Sequence, residues 1–268
     1  MESRMQKHLN NNDLLALNRI ILRSHGDGCL RVDKTPSRVA DNEAQQIDPE
    51  SVTLRGLSVG YDKPLVFDIN KTIYPGDTIA ILGSSGIGKT TLMRTIAGLI
   101  RPLSGEISHN YPKRGGIGYI PQRLGLVRHS TVRSNVALGA RTRRSRWYPF
   151  WFPLDQKLKD DVDNAMKALK ILDIADEPVR ILSGGQQRRV AIARTLAQRP
   201  RIILADEFLG ELDKENVNSI ITATKEIVDE IGATLVLIEH HEERAIELAD
   251  RIWRIIDENL IEEGDSNQ

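Results

Sequence analysis

From Ser51 onward the chain alternates short apolar runs with longer amphipathic ones. SVTLRGLSVGY and LVFDINKTIYPGDTIAIL read as strands, with Pro75-Gly76-Asp77 as the turn ahead of the apolar run TIAIL. That run leads straight into Gly83. TLMRTIAGLI has helical spacing and stops near Arg101-Pro102. KLKDDVDNAMKALKILDI places apolar residues three and four apart, which predicts an amphipathic helix over residues 157–174, and GQQRRVAIARTLAQ predicts a second. RIILADE and ATLVLIEH are apolar runs bounded by polar residues, the pattern of strands buried in a parallel sheet. Strands alternating with helices predict an α/β core.

Residues 1–50 break this pattern. They are polar and charged apart from LLALNRIIL, too little apolar surface to offset ordering entropy, and a largely disordered extension is expected there. A short tail, residues 264–268, is set apart at the other end. Composition narrows the classes. Lys and Arg total 37 against 37 Asp and Glu, so no net field recruits nucleic acid, and none is expected as a partner. A single cysteine, Cys29, excludes an internal disulfide framework and a multi-cysteine metal site, which suits a reducing cytosol. No run approaches a spanning helix, and MESRMQKHLNNND lacks the apolar core of a secretory signal. A cytoplasmic location is expected, with membrane association through a partner.

Three motifs carry chemistry. GSSGIGKTT, Gly83–Thr91, fits G-x-x-x-x-G-K-[ST] between a predicted strand and a predicted helix. Its glycines let the backbone curl so that N–H groups and the helix N-terminus face phosphates. Lys89 would reach the β and γ phosphates and Thr90 would ligate Mg²⁺. RIILADE delivers Asp206 and Glu207 at the end of an apolar strand. Beside a phosphate-binding loop the first carboxylate can hold the metal through water, and the second can orient and deprotonate the attacking water. LSGGQQRR, Leu182–Arg189, opens a helix with a serine and two glycines, a second phosphate-binding surface.

On these motifs, in this order, residues 51–263 resemble the nucleotide-binding subunit of an ATP-binding cassette (ABC) transporter. The resemblance implies a P-loop α/β core with an N-terminal antiparallel β portion and a helical subdomain over about 123–181. It implies ATP and Mg²⁺. The phosphates would be held by Gly83, Ser84, Ser85, Gly86, Ile87, Gly88, Lys89, Thr90 and Thr91. Ser183, Gly184, Gly185 and Gln186 would face the ATP of a partner cassette, in a homodimer or a pair with a second cassette. Tyr61, in SVGYDKP, matches the aromatic residue that stacks on adenine. Gln122, in GYIPQRLGL, matches the glutamine that contacts Mg²⁺ and the attacking water, so the metal set is Thr90, Gln122 and Asp206. His240, in LVLIEHHEERA, matches the histidine that reaches the γ phosphate. His241 stands where the family has aspartate. Glu207, His240 and Gln122 form the expected catalytic set. Two departures stand out: Phe208 replaces a usual proline, and Gly210-Glu211-Leu212-Asp213 replaces Ser-Ala-Leu-Asp.

GARTRRSRWYPFWF, within the helical subdomain, sets Trp147, Tyr148, Phe150, Trp151 and Phe152 behind Arg141, Arg143, Arg144 and Arg146. Four roles are open to it: a nucleic-acid grip, a membrane-surface contact, internal packing, or a docking surface for the transmembrane permease. The spacing Gly139 to Trp147 is similar to the phosphonate-importer ATPases, which implies a permease and an extracytoplasmic binding protein as partners. Cassettes of lipoprotein-releasing and macrolide-export systems are the alternative, and a non-transport cassette acting on nucleic acid or the ribosome is a third.

Overall fold

The computed structural model describes residues 51–112, 114–145, 147–149, 152–208 and 214–263. The extension over 1–50, the tail over 264–268, Arg146, Phe150, Trp151 and the stretch Gly210–Asp213 lie outside the described residues.

Strands β1 (Val52–Gly60), β2 (Pro64–Ile73) and β4 (Ser104–Ser108) form an antiparallel sheet in the order β2-β1-β4. The second sheet has six strands, in the order β5-β6-β7-β3-β8-β9. These are β3 (Thr78–Leu82), β5 (Ile117–Ile120), β6 (Ile202–Asp206), β7 (Thr234–Ile238), β8 (Arg251–Ile256) and β9 (Asn259–Glu262). All pairings are parallel except β8 with β9. The helices are α1 (Lys89–Ile96), α2 (Val132–Arg141), α3 (Gln156–Ala168), α4 (Gly184–Ala197), α5 (Lys214–Ile231) and α6 (Glu242–Leu248).

The two-residue period of the central strands sorts their side chains into two cores. Ile79 and Ile81, Ile202 and Leu204, Val236 and Ile238 face one way, joining α1 and the antiparallel sheet. Ala80 and Leu82, Ile203 and Ala205, Leu235 and Leu237 face the other, joining α2, α3, α4 and α5. Both faces are covered, so these strands read as continuous apolar runs with no polar alternation. Their C-terminal ends then bring the glycine-rich loop that starts at Gly83 after β3 to one edge with the polar residues Asp206, at the end of β6, and Glu239 and His240, after β7.

Helix α3 ends earlier than its apolar spacing predicts. Lys170 takes a left-handed backbone (φ 54°), its N–H donates to Lys167 O at 3.0 Å, and Ile171 N–H donates to Met166 O at 2.9 Å. This closes the last carbonyls in the way a C-terminal glycine usually does. Helices α2 and α4 cross with their backbones nearly touching, since a Cβ on Gly139 would sit 1.7 Å from Arg194 O. Only glycine fits that crossing.

Candidate functional site

Three glycines shape the turn from β3 into α1. Gly83, Gly86 and Gly88 have φ of 149°, 80° and 117°, backbone that L side chains rarely adopt. The loop Gly83–Thr91 therefore wraps the N-terminus of α1, with Ser85 and Gly86 at its outer turn and Ile87 packed against the core of the antiparallel sheet. Lys89 is buried and folds back into the loop, its Nζ donating to Gly83 O (2.7 Å) and Ser84 O (2.9 Å). Burial pushes the Lys89 ammonium below its ordinary value, against the pull of Glu207 and Asp206. Thr91 is buried behind the loop.

Asp206, wholly buried at the end of β6, accepts from Thr90 Oγ1 on Oδ1 (3.0 Å) and from the Tyr119 hydroxyl on Oδ2 (3.1 Å). Burial raises its pKa above 3.8, and these two hydrogen bonds oppose the rise. Thr90 Oγ1 and Asp206 Oδ1 present adjacent hard oxygen donors beside a loop curled for phosphates. That donor set fits Mg²⁺, which takes one or two protein oxygens and fills its sphere with phosphates and water.

Glu207 is half-buried in a left-handed backbone, φ 50°. Its side chain is held from both sides. Gln122 Nε2 donates to Oε2 at 2.5 Å, and His240 Nε2 lies 2.7 Å from Oε1. It is therefore the ring of His240 that meets Glu207, as the spacing to Ala245 implies; His241 caps α6. The buried carboxylate of Glu239 accepts from His240 N–H at 3.1 Å and from His241 N–H at 3.4 Å, fixing the corner that presents the ring. Arg194 on α4 donates to Leu124 O and Gly125 O at 2.8 Å each, anchoring the chain just past Gln122.

The LSGGQ segment forms the start of α4. Ser183 Oγ accepts from Gln186 N–H (3.2 Å) and Gln186 Oε1 accepts from Ser183 N–H (3.0 Å), a reciprocal cap ahead of Gly184 and Gly185. Arg188, one turn on, donates to Glu207 O at 2.8 Å. Tyr61 is 59% exposed beyond β1. Thr90, Asp206, Glu207, Gln122 and His240 are thus linked directly, whereas the hydrogen bonds of Ser183 and Gln186 are local.

The family model for the ABC transporter matches residues 66–210, more than half of the 268. The chain belongs to the ABC transporter family. This cassette is 35% identical over 209 residues to a sulfate/thiosulfate import ATP-binding protein of Agrobacterium fabrum, covering 75% of this chain and 59% of that protein. It is 33% identical over 224 residues to an ATP-binding protein of Salmonella paratyphi A named for 2-aminoethylphosphonate import, covering 80% and 58%. The chain spans under three-fifths of the length of these two relatives. Among solved structures, the dimeric form of a bacterial ABC transporter cassette superposes with a TM-score of 0.69 at 27% identity, over 79% of this chain and 97% of that one. A cassette from Clostridium perfringens, part of an ABC transporter complex, gives 0.67 at 27% identity over 78% and 86%.

Two contributors to the site were not singled out by the motifs. Tyr119 bonds Asp206, and Arg188 bonds the backbone of Glu207. The signal for Tyr119 was the short strand IGYI ahead of Gln122. Of the two departures, Phe208 is buried in the core beside Ile221, Leu235, Leu237 and Leu248. The other lies outside the described residues.

Three arginines of the basic-aromatic run, Arg141, Arg143 and Arg144, turn inward. Arg141 and Arg144 donate to Phe152 O at 3.0 Å each, Arg144 also bonds Pro153 O and lies 5.0 Å over the Tyr148 ring, and Arg143 pairs with the buried Asp161. Trp147, 93% exposed, projects outward with Tyr148 and Phe152. Packing of the aromatics under solvated arginines is thus reversed among the described residues: Arg141, Arg143 and Arg144 are bonded within the subdomain, and Trp147, Tyr148 and Phe152 are exposed.

Proposed function

We propose that this chain is the ATP-binding and ATP-hydrolysing subunit of an ABC transporter that energises uptake of a small oxyanion. The observation that carries this reading is the Glu207 carboxylate, held between Gln122 and His240 one residue from the Asp206–Thr90 pair. A base so oriented beside a phosphate-binding loop and a metal-fitting oxygen pair can deprotonate and direct a water at a terminal phosphate. Lys89 exchanges its two loop carbonyls for phosphate oxygens, and Gln122 and His240 keep the carboxylate and water aligned. Mg²⁺, when bound, neutralises charge on the phosphates, held by Thr90 and Asp206 with Gln122 at its edge. Tyr61 offers an exposed ring for adenine.

The start of α4 supports pairing of two cassettes head to tail. Ser183, Gly184 and Gly185 present a second helix N-terminus for the ATP of the partner, whether a copy of this chain or another cassette. Membrane attachment is through a permease, a reading supported by the relatives named as import ATP-binding proteins; among the described residues no helix is long and apolar enough to cross a membrane. A groove of about 670 Å³ between α2 and α3, floored by Val127, Ala137, Leu138, Leu154 and Val162, suits a permease helix, and the exposed Trp147 offers an aromatic anchor elsewhere on the same subdomain. The location is then the inner face of the membrane.

The cargo class rests on relatives named for sulfate/thiosulfate and for 2-aminoethylphosphonate, all small oxyanions, with an extracytoplasmic binding protein as the expected selector. Gly139, half of the spacing that resembles phosphonate importers, is required by the crossing of α2 and α4 and carries no substrate information. The test is phosphate release and nucleotide binding by the purified chain with and without Mg²⁺. Mg²⁺-dependent turnover that is lost in Lys89→Ala supports the proposal, and absence of nucleotide binding by the parent overturns it.

A further inference from the structure

Asp206 offers two oxygens, and the site assigns them different partners. Oδ1 meets Thr90 on the loop side, whereas Oδ2 meets the Tyr119 hydroxyl from the neighbouring strand β5. A carboxylate that shares a metal with phosphate needs one oxygen turned to the metal and the other held, because free rotation scatters the coordinating lone pairs. Among the described residues no other hydrogen bond reaches the far oxygen of this wholly buried side chain.

We propose that Tyr119 is a positioning residue for the metal, with its hydroxyl locking Oδ2 of Asp206 so that Oδ1 stays aligned with Thr90 for Mg²⁺. The proposal rests on the nucleotide site argued above and adds to it a tyrosine to which its motifs gave no role. Tyr119 stands three residues before Gln122, so the strand that leads into the glutamine grips the metal carboxylate too.

The experiment titrates Mg²⁺ into the full chain with a fluorescent trinitrophenyl-ATP and compares the parent with Tyr119→Phe. Phenylalanine keeps the ring and removes only the hydroxyl. The expected result is a rise of about tenfold in the Mg²⁺ concentration at half-saturation, in the range for loss of an outer partner of a metal ligand, with probe affinity in EDTA unchanged. An unchanged Mg²⁺ midpoint in Tyr119→Phe overturns the proposal, as does an equal fall in affinity with and without the metal. A parent that binds no nucleotide fails the underlying site reading instead, so the two failures are told apart by the first curve.

Discussion

Nε2 of His240 lies 2.7 Å from Oε1 of Glu207, on a carboxylate whose other oxygen takes a hydrogen bond from Gln122. Two residues from different loops therefore fix one side chain whose own backbone, at φ 50°, leaves it few ways to turn. Removing one arm loosens the base without touching the phosphate loop. His240→Ala should lower the ATP turnover number by about 10²-fold or more, in line with the loss of oriented general-base catalysis, with nucleotide affinity changed by under about threefold. Steady-state phosphate release beside equilibrium binding reads both. A parallel loss of binding would place His240 in nucleotide retention instead.

Burial sets a second expectation. Asp206 has its pKa raised in the folded chain, mainly by desolvation, so the folded state prefers the protonated acid. The sign follows: stability from this group is full below the ordinary carboxylate value of 3.8 and is lost as pH rises through the raised value. At neutral pH the buried charge is a cost. Asp206→Asn removes the charge while its Oδ1 can still accept from Thr90. The variant should melt about 2–4 °C above the parent at neutral pH, on the order of 1 kcal/mol, with the gap closing in acid and Mg²⁺-dependent nucleotide binding lost. Calorimetric scans across pH decide it, and a lower melting temperature at neutral pH contradicts it.

The aromatic residues divide into two kinds. Phe208 is 2% exposed and Trp147 is 93% exposed. Phe208→Ala should cost about 3–5 kcal/mol of folding stability, and Trp147→Ala should stay within about 0.5 kcal/mol of the parent. Denaturant unfolding measures both. A destabilised Trp147→Ala would show that the run packs internally after all, and would remove the argument for an outward anchor.

Lys170 holds a backbone conformation that costs a lysine more than a glycine. Lys170→Gly should stabilise the chain by about 0.5–1 kcal/mol, because glycine enters the left-handed region without a Cβ clash. A fall in the denaturation midpoint would mean that the lysine side chain has a compensating contact.

Much of the architecture was legible because it follows from short-range periodicity. TIAIL, IILAD and TLVLI are continuous apolar runs since both sheet faces are covered, and GSSGIGKTT announces its turn through glycines at positive φ. What was hidden depends on contacts far apart in the chain. KALKILDI keeps helical spacing beyond Ala168, yet the helix stops because Lys170 supplies a left-handed turn with no glycine to mark it. The arginines behind Trp147 look like a cationic patch in one dimension, but their partners, Phe152 O, Pro153 O and Asp161, become neighbours only when α2 and α3 pack together. Tyr119 is 87 residues from Asp206 in sequence, and the parallel pairing of β5 with β6 brings it there.

The most direct test of the account compares ATP hydrolysis by the purified chain and by Glu207→Gln, with nucleotide binding measured on the same samples. The parent is expected to hydrolyse ATP, and the variant to bind ATP as tightly, turn over at least about 10²-fold more slowly and accumulate as an ATP-bound dimer. An undiminished rate in Glu207→Gln would contradict it, because the carboxylate held between Gln122 and His240 would then not be the base.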